Sequence, residues 1–190
     1  MAKLNVYEIG WYLDEAMCPC DIHFLRYLEK ENVRNASIFH FGTGEHHVVG
    51  LKTAENGSGN VVFGITASPQ EHDAYERLII DRPETGRTYK VIFGDIYQLD
   101  ARLLPDFDIV SLFHVGEFRT EKNDAYGALT DDEMVRLLVG KLTGPKLVLF
   151  YSGSYAFDVA ERITAKLVDE GVLEPFGTSE SLRIFRALKP

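Results

Sequence analysis

Apolar segments with strand character alternate five times with helix-like segments, and this alternation constrains the fold more than any other feature. Strands are predicted at residues 37–41, 61–65, 89–93, 108–113 and 146–151. Their nearly continuous apolar character is typical of strands that are buried on both faces. Strands that alternate with helices predict a parallel sheet that is covered by helices on both sides.

Capping residues indicate where the helices begin and end. Ser68 begins a helix that extends to about Ile80, and Glu71 follows it at the spacing of a capping box. Thr130 begins another helix, which ends at Gly144. The remaining helices are predicted at residues 19–31, 45–54 and 156–170, with a short helical stretch that reaches residue 104.

The last two apolar segments predict a different connection. Residues 172–176 and 182–188 are separated by a polar, glycine-containing stretch that is too short for a helix, so they should form an antiparallel hairpin. The predicted fold is a single α/β domain with a seven-stranded, mostly parallel sheet. Residues 1–36 are expected to form an N-terminal extension with one helix, and residues 37–190 the α/β domain itself.

Composition narrows the function classes. At 190 residues, the chain fits one domain. Its 20 basic and 29 acidic residues give a net charge of -9, which argues against a broad nucleic-acid-binding face. No apolar run is long enough to span a bilayer, and residues 1–5 lack the apolar stretch of a secretory signal. Cys18 and Cys20 are the only cysteines, which excludes a disulfide framework. We therefore expect a cytoplasmic, acidic, single-domain protein that binds neither nucleic acid nor a membrane.

Five strand–helix units with a closing hairpin resemble the Rossmann-like class I S-adenosylmethionine-dependent methyltransferases, over roughly residues 20–190. In that family a glycine-rich loop after the first strand holds the cofactor. The matching loop here is Phe41, Gly42, Thr43, Gly44 and Glu45. The family often has Gly-Asp and an apolar residue after the third strand, with the Asp on the adenine amine, which Asp95 and Ile96 match. Asp95 has a second reading of equal weight, as a plain helix cap.

Three positions depart from the family pattern. His40 stands where the first strand usually carries an acid, and His46 occupies the position of the third glycine. Thr66 replaces the acid that binds the ribose hydroxyls, and it cannot make a bidentate carboxylate pair. Glu45 could partly substitute for that missing acid. The resemblance therefore supports the fold more strongly than it supports binding of the family's cofactor.

The resemblance implies S-adenosylmethionine-dependent methyl transfer to a small-molecule acceptor. His114 and Glu117 follow the fourth strand, on the substrate side, and are the candidate catalytic residues if the acceptor must lose a proton. The alternative is a non-catalytic member of the fold that serves as a binding or assembly subunit. A nicotinamide-dependent oxidoreductase is a weaker alternative, because His46 stands where the dinucleotide motif has Gly or Ala.

Two groups of residues have ligand chemistry, although no metal site is predicted from them. Loops after the first and fourth strands should be neighbours, which would bring His46 or His47 near His114 and Glu117. Polar residues at a helix start are the simpler interpretation of the paired histidines.

Cys18, Cys20 and His23 make a weak zinc pattern, and two reduced thiols at a helix start are the favoured interpretation. The aromatic residues Tyr7, Trp11 and Tyr12 are predicted to pack over the sheet edge, with a cover over a ligand or a homodimer contact as alternatives.

Overall fold

A computed structural model describes residues 3–188 of the chain. Residues 1–2 of the predicted extension and residues 189–190 of the predicted last strand lie outside the described residues. The strands are β1 (Ser37–Phe41), β2 (Val61–Thr66), β3 (Tyr89–Phe93), β4 (Phe107–Leu112), β5 (Leu142–Tyr151), β6 (Leu173–Ser179) and β7 (Leu182–Ala187). The helices are α1 (Cys20–Lys30), α2 (Val48–Glu55), α3 (Pro69–Asp81), α4 (Glu121–Asp124), α5 (Asp131–Val139) and α6 (Phe157–Asp169). Short 3-10 helices lie at Thr85–Arg87, Ile96–Gln98 and Ala101–Leu103.

The seven strands form one sheet in the order β3-β2-β1-β4-β5-β7-β6. Strands β1 to β5 pair in parallel, and β7 pairs antiparallel with both β5 and β6. The predicted fold class and closing hairpin are therefore confirmed. The strand order reverses direction between β1 and β4, which is where open α/β sheets bind their ligands.

Alternate residues of the strands feed two apolar cores on opposite faces of the sheet. Phe39 and Val110 point into one core, against α5 and α6. Ile38 and Ile109 point into the other, against α1 and α2. This alternation explains the nearly continuous apolar strands, since both faces of the central sheet are covered.

Several boundaries differ from the predicted ones, and the strand β6, for example, continues to Ser179 instead of ending at residue 176. Helix α2 begins at Val48 instead of Glu45, because Gly44 and His47 have left-handed backbone angles that a helix cannot include. The strand β5 begins at Leu142, where the sequence predicted the end of a helix. Leu142 pairs with Phe107 ahead of an irregularity in the β4–β5 register, so the strand extends past the Gly-Pro signal.

Residues 3–19, called here the strap, cross the carboxyl edge of the sheet before α1. The Tyr7 amide donates to the carbonyl of Ala67 at 3.1 Å, just after β2. The Trp11 carbonyl accepts from the amide of Glu45 at 2.8 Å, in the loop after β1. The strap therefore covers this edge of the sheet. Across the described residues, we find no helix with the length and apolar character needed to cross a bilayer.

Candidate functional site

A cavity of about 380 Å³ lies under the strap, at the carboxyl edge of the sheet where the strand order reverses. Its size falls in the range of small-molecule pockets. The strap, the start of α1 and the loops after β1, β2, β4 and β5 all contribute to it. The predicted site residues that line it are Phe41, Gly42, Gly44, Thr66, His114 and Glu117. Thr43, Glu45, Asp95 and Ile96 are not among its described lining residues.

The lining is acidic and aromatic. Its carboxylates are Asp14, Asp21, Glu71 and Glu117, and its large aromatic side chains are Tyr7, Trp11, Tyr12, Phe41, Phe118, Tyr151 and Tyr155. No Lys or Arg occurs among the lining residues that the structure describes. A cavity with this lining favours a cationic ligand over an anionic one.

The two glycines after β1 are required by conformation and by close packing. Gly42 has a φ of +97°, and a Cβ on it would lie 3.0 Å from Cδ2 of His114. Gly44 has a φ of +57°, and a Cβ there would clash with Nε2 of His46. Both angles favour glycine. Imidazole rings therefore lie directly against the loop that the family resemblance associates with the cofactor.

Glu71 is the buried carboxylate at the end of β2. Its Oε2 accepts hydrogen bonds from the hydroxyls of Thr66 at 2.6 Å and Thr43 at 3.3 Å, and its Oε1 accepts from the Trp11 amide at 3.4 Å. Burial raises the pKa of Glu71. The sequence interpretation treated Glu71 only as a capping residue. Ser68 does accept from its amide, but the carboxylate points into the cavity wall.

Asp95 caps the 3-10 helix after β3. Its Oδ1 accepts from the amide of Tyr97 at 2.9 Å, and its Oδ2 accepts from Asn123 Nδ2 at 2.7 Å and from the Tyr126 hydroxyl at 2.5 Å. Both carboxylate oxygens are thus engaged inside the protein. The cap alternative describes this geometry, while Ile96 beside it is buried in the apolar core. Adenine contact by Asp95 stays a prediction.

His114 and Glu117 meet across a tight turn after β4. Nδ1 of His114 lies 3.3 Å from Oε1 of Glu117. The same Glu117 oxygen accepts from the Ser154 hydroxyl at 2.5 Å and from the Tyr155 amide at 3.1 Å, so the loop after β5 holds it in place. Burial raises the pKa of Glu117, but the contact with His114 lowers it, and the pKa is lowered overall.

The other ring nitrogen of His114, Nε2, lies close to two cysteines. Nε2 of His114 lies 3.9 Å from Sγ of Cys18 and 3.8 Å from Sγ of Cys20, and the two sulfurs are 3.5 Å apart. The hydrogen bond from Cys20 outweighs burial and, with His114, lowers the pKa of Cys18 to about 4. The same bond and burial raise the pKa of Cys20. The opposite shifts favour Cys18 over Cys20 as the thiol of the pair that ionises first.

The thiolate changes the chemistry expected of His114. Burial opposes the charged imidazolium, but the contacts with Cys18 and Glu117 outweigh it and raise the pKa of His114 to about 10. An imidazole with this pKa holds its proton at neutral pH, and a general base needs the neutral form. The electrostatics of the metal-free site therefore disfavour the predicted role of His114 as a base.

Asp21 lies behind this group, buried at the start of α1. Its Oδ1 is 3.7 Å from Sγ of Cys20 and 3.5 Å from Nε2 of His40, and its Oδ2 is 3.8 Å from Nε2 of His46. Burial raises the pKa of Asp21 to about 7 and lowers that of His40 to about 3. Nδ1 of His40 contacts the Ser111 hydroxyl at 2.8 Å, while its Nε2 has no hydrogen-bond partner among the described residues.

Of the ligand groupings considered from the sequence, His46 does line the cavity with His114 and Glu117, but the group of closely spaced metal ligands in the described residues does not include it. His47 points away from the cavity, since its Nε2 donates to the Glu71 carbonyl and its Nδ1 contacts the Tyr89 hydroxyl, each at 2.8 Å. Burial lowers the pKa of His47 to about 4. His23 contacts Ser181 at 2.6 Å and Glu180 at 2.7 Å, away from the cysteines.

Comparison with known proteins identifies the fold. No family sequence model and no curated protein sequence matches the chain. Among solved structures, a precorrin-6y methyltransferase from Geobacter metallireducens matches with a TM-score of 0.59 at 12% identity, over 92% of this chain and 90% of the other. A cyclase matches with a TM-score of 0.58 at 16% identity, over 92% of this chain and 65% of the other.

A third match is coclaurine N-methyltransferase bound to N-methylheliamine and S-adenosylhomocysteine. It has a TM-score of 0.51 at 14% identity over 74% of this chain, which spans only 38% of that enzyme. Identities this low establish a shared fold and nothing about activity, as the presence of a cyclase among the matches illustrates. The chain has the class I methyltransferase fold.

Proposed function

We propose that the chain binds S-adenosylmethionine in the cavity under the strap and transfers its methyl group to a small-molecule acceptor. The observation that carries this proposal is the cavity at the sheet switch point, lined by carboxylates and aromatic rings without Lys or Arg among its described residues. The cofactor carries a sulfonium and an ammonium group, which such a lining stabilises by charge attraction and cation–π contact.

The residues at the ends of β1 and β2 would orient the cofactor. Gly42 and Gly44 leave room for close backbone approach, as the family resemblance implies. Glu71 provides the carboxylate that the sequence lacks at Thr66, and it already accepts the Thr66 hydroxyl. We therefore assign Glu71, in place of Glu45, to the ribose hydroxyls. The Glu45 side chain instead packs against Gly10 of the strap.

The reaction is a displacement at the sulfonium methyl. An electron pair of the acceptor forms the new bond to carbon as the sulfur–carbon bond breaks, and the sulfur leaves as a neutral thioether. Positioning and exclusion of water supply most of the acceleration in such a step. Glu117 remains the candidate to accept a proton if the acceptor must lose one. His114 fits a positioning role, because it carries its own proton in the metal-free site.

The acceptor would enter at the exposed rim of the cavity. Trp11, Tyr12 and Tyr155 are 55%, 79% and 87% exposed, and they surround the opening together with Ile9 and Met17. Large apolar side chains exposed around a pocket suit an apolar or aromatic acceptor. The cytoplasmic location and the homodimer stay predictions.

Calorimetric titration with S-adenosylhomocysteine tests the binding step. We expect saturable binding by the wild type, and a loss of about 10-fold or more in affinity for Glu71→Gln. Glu133→Gln, on the exposed face of α5, is the matched control and should bind as the wild type does. Absence of binding heat together with absence of a thermal shift would refute the cofactor proposal.

A non-catalytic role is the second candidate, and one observation favours it. The rings of His46 and His114 lie directly against the glycine loop, in contrast to an open loop. A chain that binds S-adenosylhomocysteine but transfers no methyl group from labelled S-adenosylmethionine to a panel of thiol, amine and phenol acceptors would support this second role.

A further inference from the structure

Three side chains with metal-ligand chemistry converge on the cavity. The ligand atoms of Cys18, Cys20 and His114 all lie within 4.8 Å of one another, the one group of three Cys, His, Asp or Glu with this property in residues 3–188. The cysteines come from the junction of the strap with α1, and the histidine follows β4. Their convergence is a tertiary feature, since Cys18 and His114 are 96 positions apart.

The three distances match those of a tetrahedral metal site. Zinc bonds of about 2.3 Å to sulfur and about 2.0–2.1 Å to nitrogen place two tetrahedral sulfurs about 3.8 Å apart, and sulfur and nitrogen about 3.6 Å apart. The observed separations are 3.5 Å between Cys18 and Cys20 and 3.8–3.9 Å from each sulfur to Nε2 of His114. Each ligand would need to move by only a few tenths of an ångström.

The remaining nitrogen of His114 has the neighbour that a ligating histidine requires. Metal-bound imidazoles usually donate their other ring N–H to a carboxylate, which orients the ring. Nδ1 of His114 lies 3.3 Å from Oε1 of Glu117. Glu117 is itself held by Ser154 and by the Tyr155 amide, so the carboxylate is in place before any metal binds.

The acidic surroundings of the three ligands also suit a bound cation. Asp21 is buried with its carboxylate 3.7 Å from the Cys20 sulfur, and neither Lys nor Arg is found among the described residues that line the cavity. A divalent cation held by these ligands would lie close to the Asp21 carboxyl group, which would stabilise it by charge attraction. The basic groups nearest to Asp21 are the imidazoles of His40 and His46.

We propose that Cys18, Cys20 and His114 form a binding site for a borderline-soft divalent cation of the zinc class, with Glu117 orienting the histidine. All three ligands line the cavity, so a metal that they hold would border it, with one position left for a further ligand. Sites with three protein ligands and one open position are the catalytic type of zinc site. A small ligand in the cavity can therefore reach the metal directly.

Titration of the reduced, full-length chain with Co²⁺ and then Zn²⁺, without any nucleoside ligand, tests the site. We expect one Co²⁺ per chain, with the visible bands of tetrahedral cobalt and thiolate charge-transfer absorption, and displacement by Zn²⁺. Cys18→Ser, Cys20→Ser and His114→Asn should each weaken Zn²⁺ binding by about 100-fold or more, and Glu117→Gln by about 10-fold to 100-fold. His23→Asn, which removes a nearby histidine outside the group, should bind as the wild type does.

X-ray absorption of the Zn²⁺-loaded wild type tests the same ligands without any substitution. It should show two sulfur neighbours at about 2.3 Å and nitrogen or oxygen neighbours at about 2.0–2.1 Å. A zinc shell without sulfur, a stoichiometry well below one, or full affinity in the folded His114→Asn variant would overturn the proposal. None of these measurements depends on S-adenosylmethionine, so the failure of one proposal is separable from that of the other.

Discussion

Nδ1 of His114 lies 3.3 Å from Oε1 of Glu117, and the two residues are brought together by a turn that contains Gly116. The Glu117 amide donates to the His114 carbonyl at 3.3 Å across this turn. Gly116 has a φ of +86°, and a Cβ on it would lie 2.9 Å from Cβ of Val159. The contact between His114 and Glu117 therefore depends on Gly116, a residue without a side chain.

Gly116→Ala should lower the free energy of unfolding by about 2–3 kcal/mol, because it adds a steric clash to a left-handed backbone conformation. Gly127→Ala is the matched control, since Gly127 has a φ of +65° with nothing within 4 Å of its Cβ position. The control should cost about 1 kcal/mol. Equal losses for the two variants in urea unfolding would show that the Val159 contact contributes nothing.

Glu117→Gln should lower the pKa of His114, because it removes the carboxylate that stabilises the charged imidazole. The wild-type imidazole, with a pKa raised to about 10, should remain protonated at pH values where an ordinary histidine is neutral. An NMR titration of the metal-free chain measures both pKa values. A wild-type His114 that titrates near its ordinary value of about 6.5 would contradict the thiolate–imidazolium pair.

Cys18 should react as a thiolate well below neutral pH in the reduced, metal-free chain. The hydrogen bond from Cys20, with the contact to His114, lowers the pKa of Cys18 to about 4, whereas an ordinary thiol titrates at about 8.5. Its rate of alkylation by iodoacetamide, followed by mass spectrometry, should change little from about pH 9 down to about pH 5.

Cys20→Ala provides the control for this profile, because it removes the largest contribution to the lowered pKa of Cys18. Its alkylation rate should fall at a higher pH than in the wild type. A wild-type rate that already falls below about pH 8.5 would show that Cys18 is an ordinary thiol.

Asp95→Asn should destabilise the fold by about 1–3 kcal/mol, because an amide group would face the donors of Asn123 and Tyr126 in a buried position. Asp100→Asn changes an exposed cap of similar geometry and should cost under about 0.5 kcal/mol. If Asp95 also contacts adenine, the affinity of the folded variant for S-adenosylhomocysteine should fall as well. A loss in unfolding free energy no larger than that of Asp100→Asn would contradict the expected destabilisation.

Asp21→Asn should become relatively more stabilising as the pH rises. Burial raises the pKa of Asp21 to about 7, above an unfolded value of about 3.9. The contribution of this carboxyl group to stability is therefore fully present below about pH 4 and is lost as the pH rises through about 7.

The difference in unfolding free energy between Asp21→Asn and the wild type, measured without metal, should shift by up to about 4 kcal/mol in favour of the variant between about pH 4 and pH 8. His40 and the other titrating groups are common to both proteins, so their contributions largely cancel. A constant difference across this range would mean that Asp21 titrates normally.

The succession of strands and helices along the chain was predictable because each strand–helix unit carries its own local pattern. Ser68 caps α3, and Thr130 caps α5 with Glu133 completing the box, as expected from their spacing. The pairing of β1 with β4 was expected from the topology of the family that the chain resembles. These features depend on short segments, whose periodicity and capping chemistry are visible in the sequence.

The site was less predictable because its contacts are long-range. The Cys-x-Cys pair was considered with His23, but the structure directs His23 toward Glu180 and brings His114 to the cysteines instead. His114 was considered as a base, and as a ligand beside His46 or His47, but not as a neighbour of the cysteines. Glu71 looked like a capping residue because its amide does serve the cap, which concealed the separate role of its carboxylate.

The strap over the cavity has a consequence for the order of assembly. Its hydrogen bonds join residues far apart in sequence, 121 positions from Asn5 to Tyr126 and 60 from Gly10 to Gln70. Closing such large loops is entropically costly until the sheet has formed, so the strap should dock onto the sheet late in folding. Segments outside the regular helices and strands are also among the first to open by local unfolding. Amide exchange at Tyr7 and Trp11 should therefore be faster than in β1, and small molecules would enter the cavity when the strap opens locally.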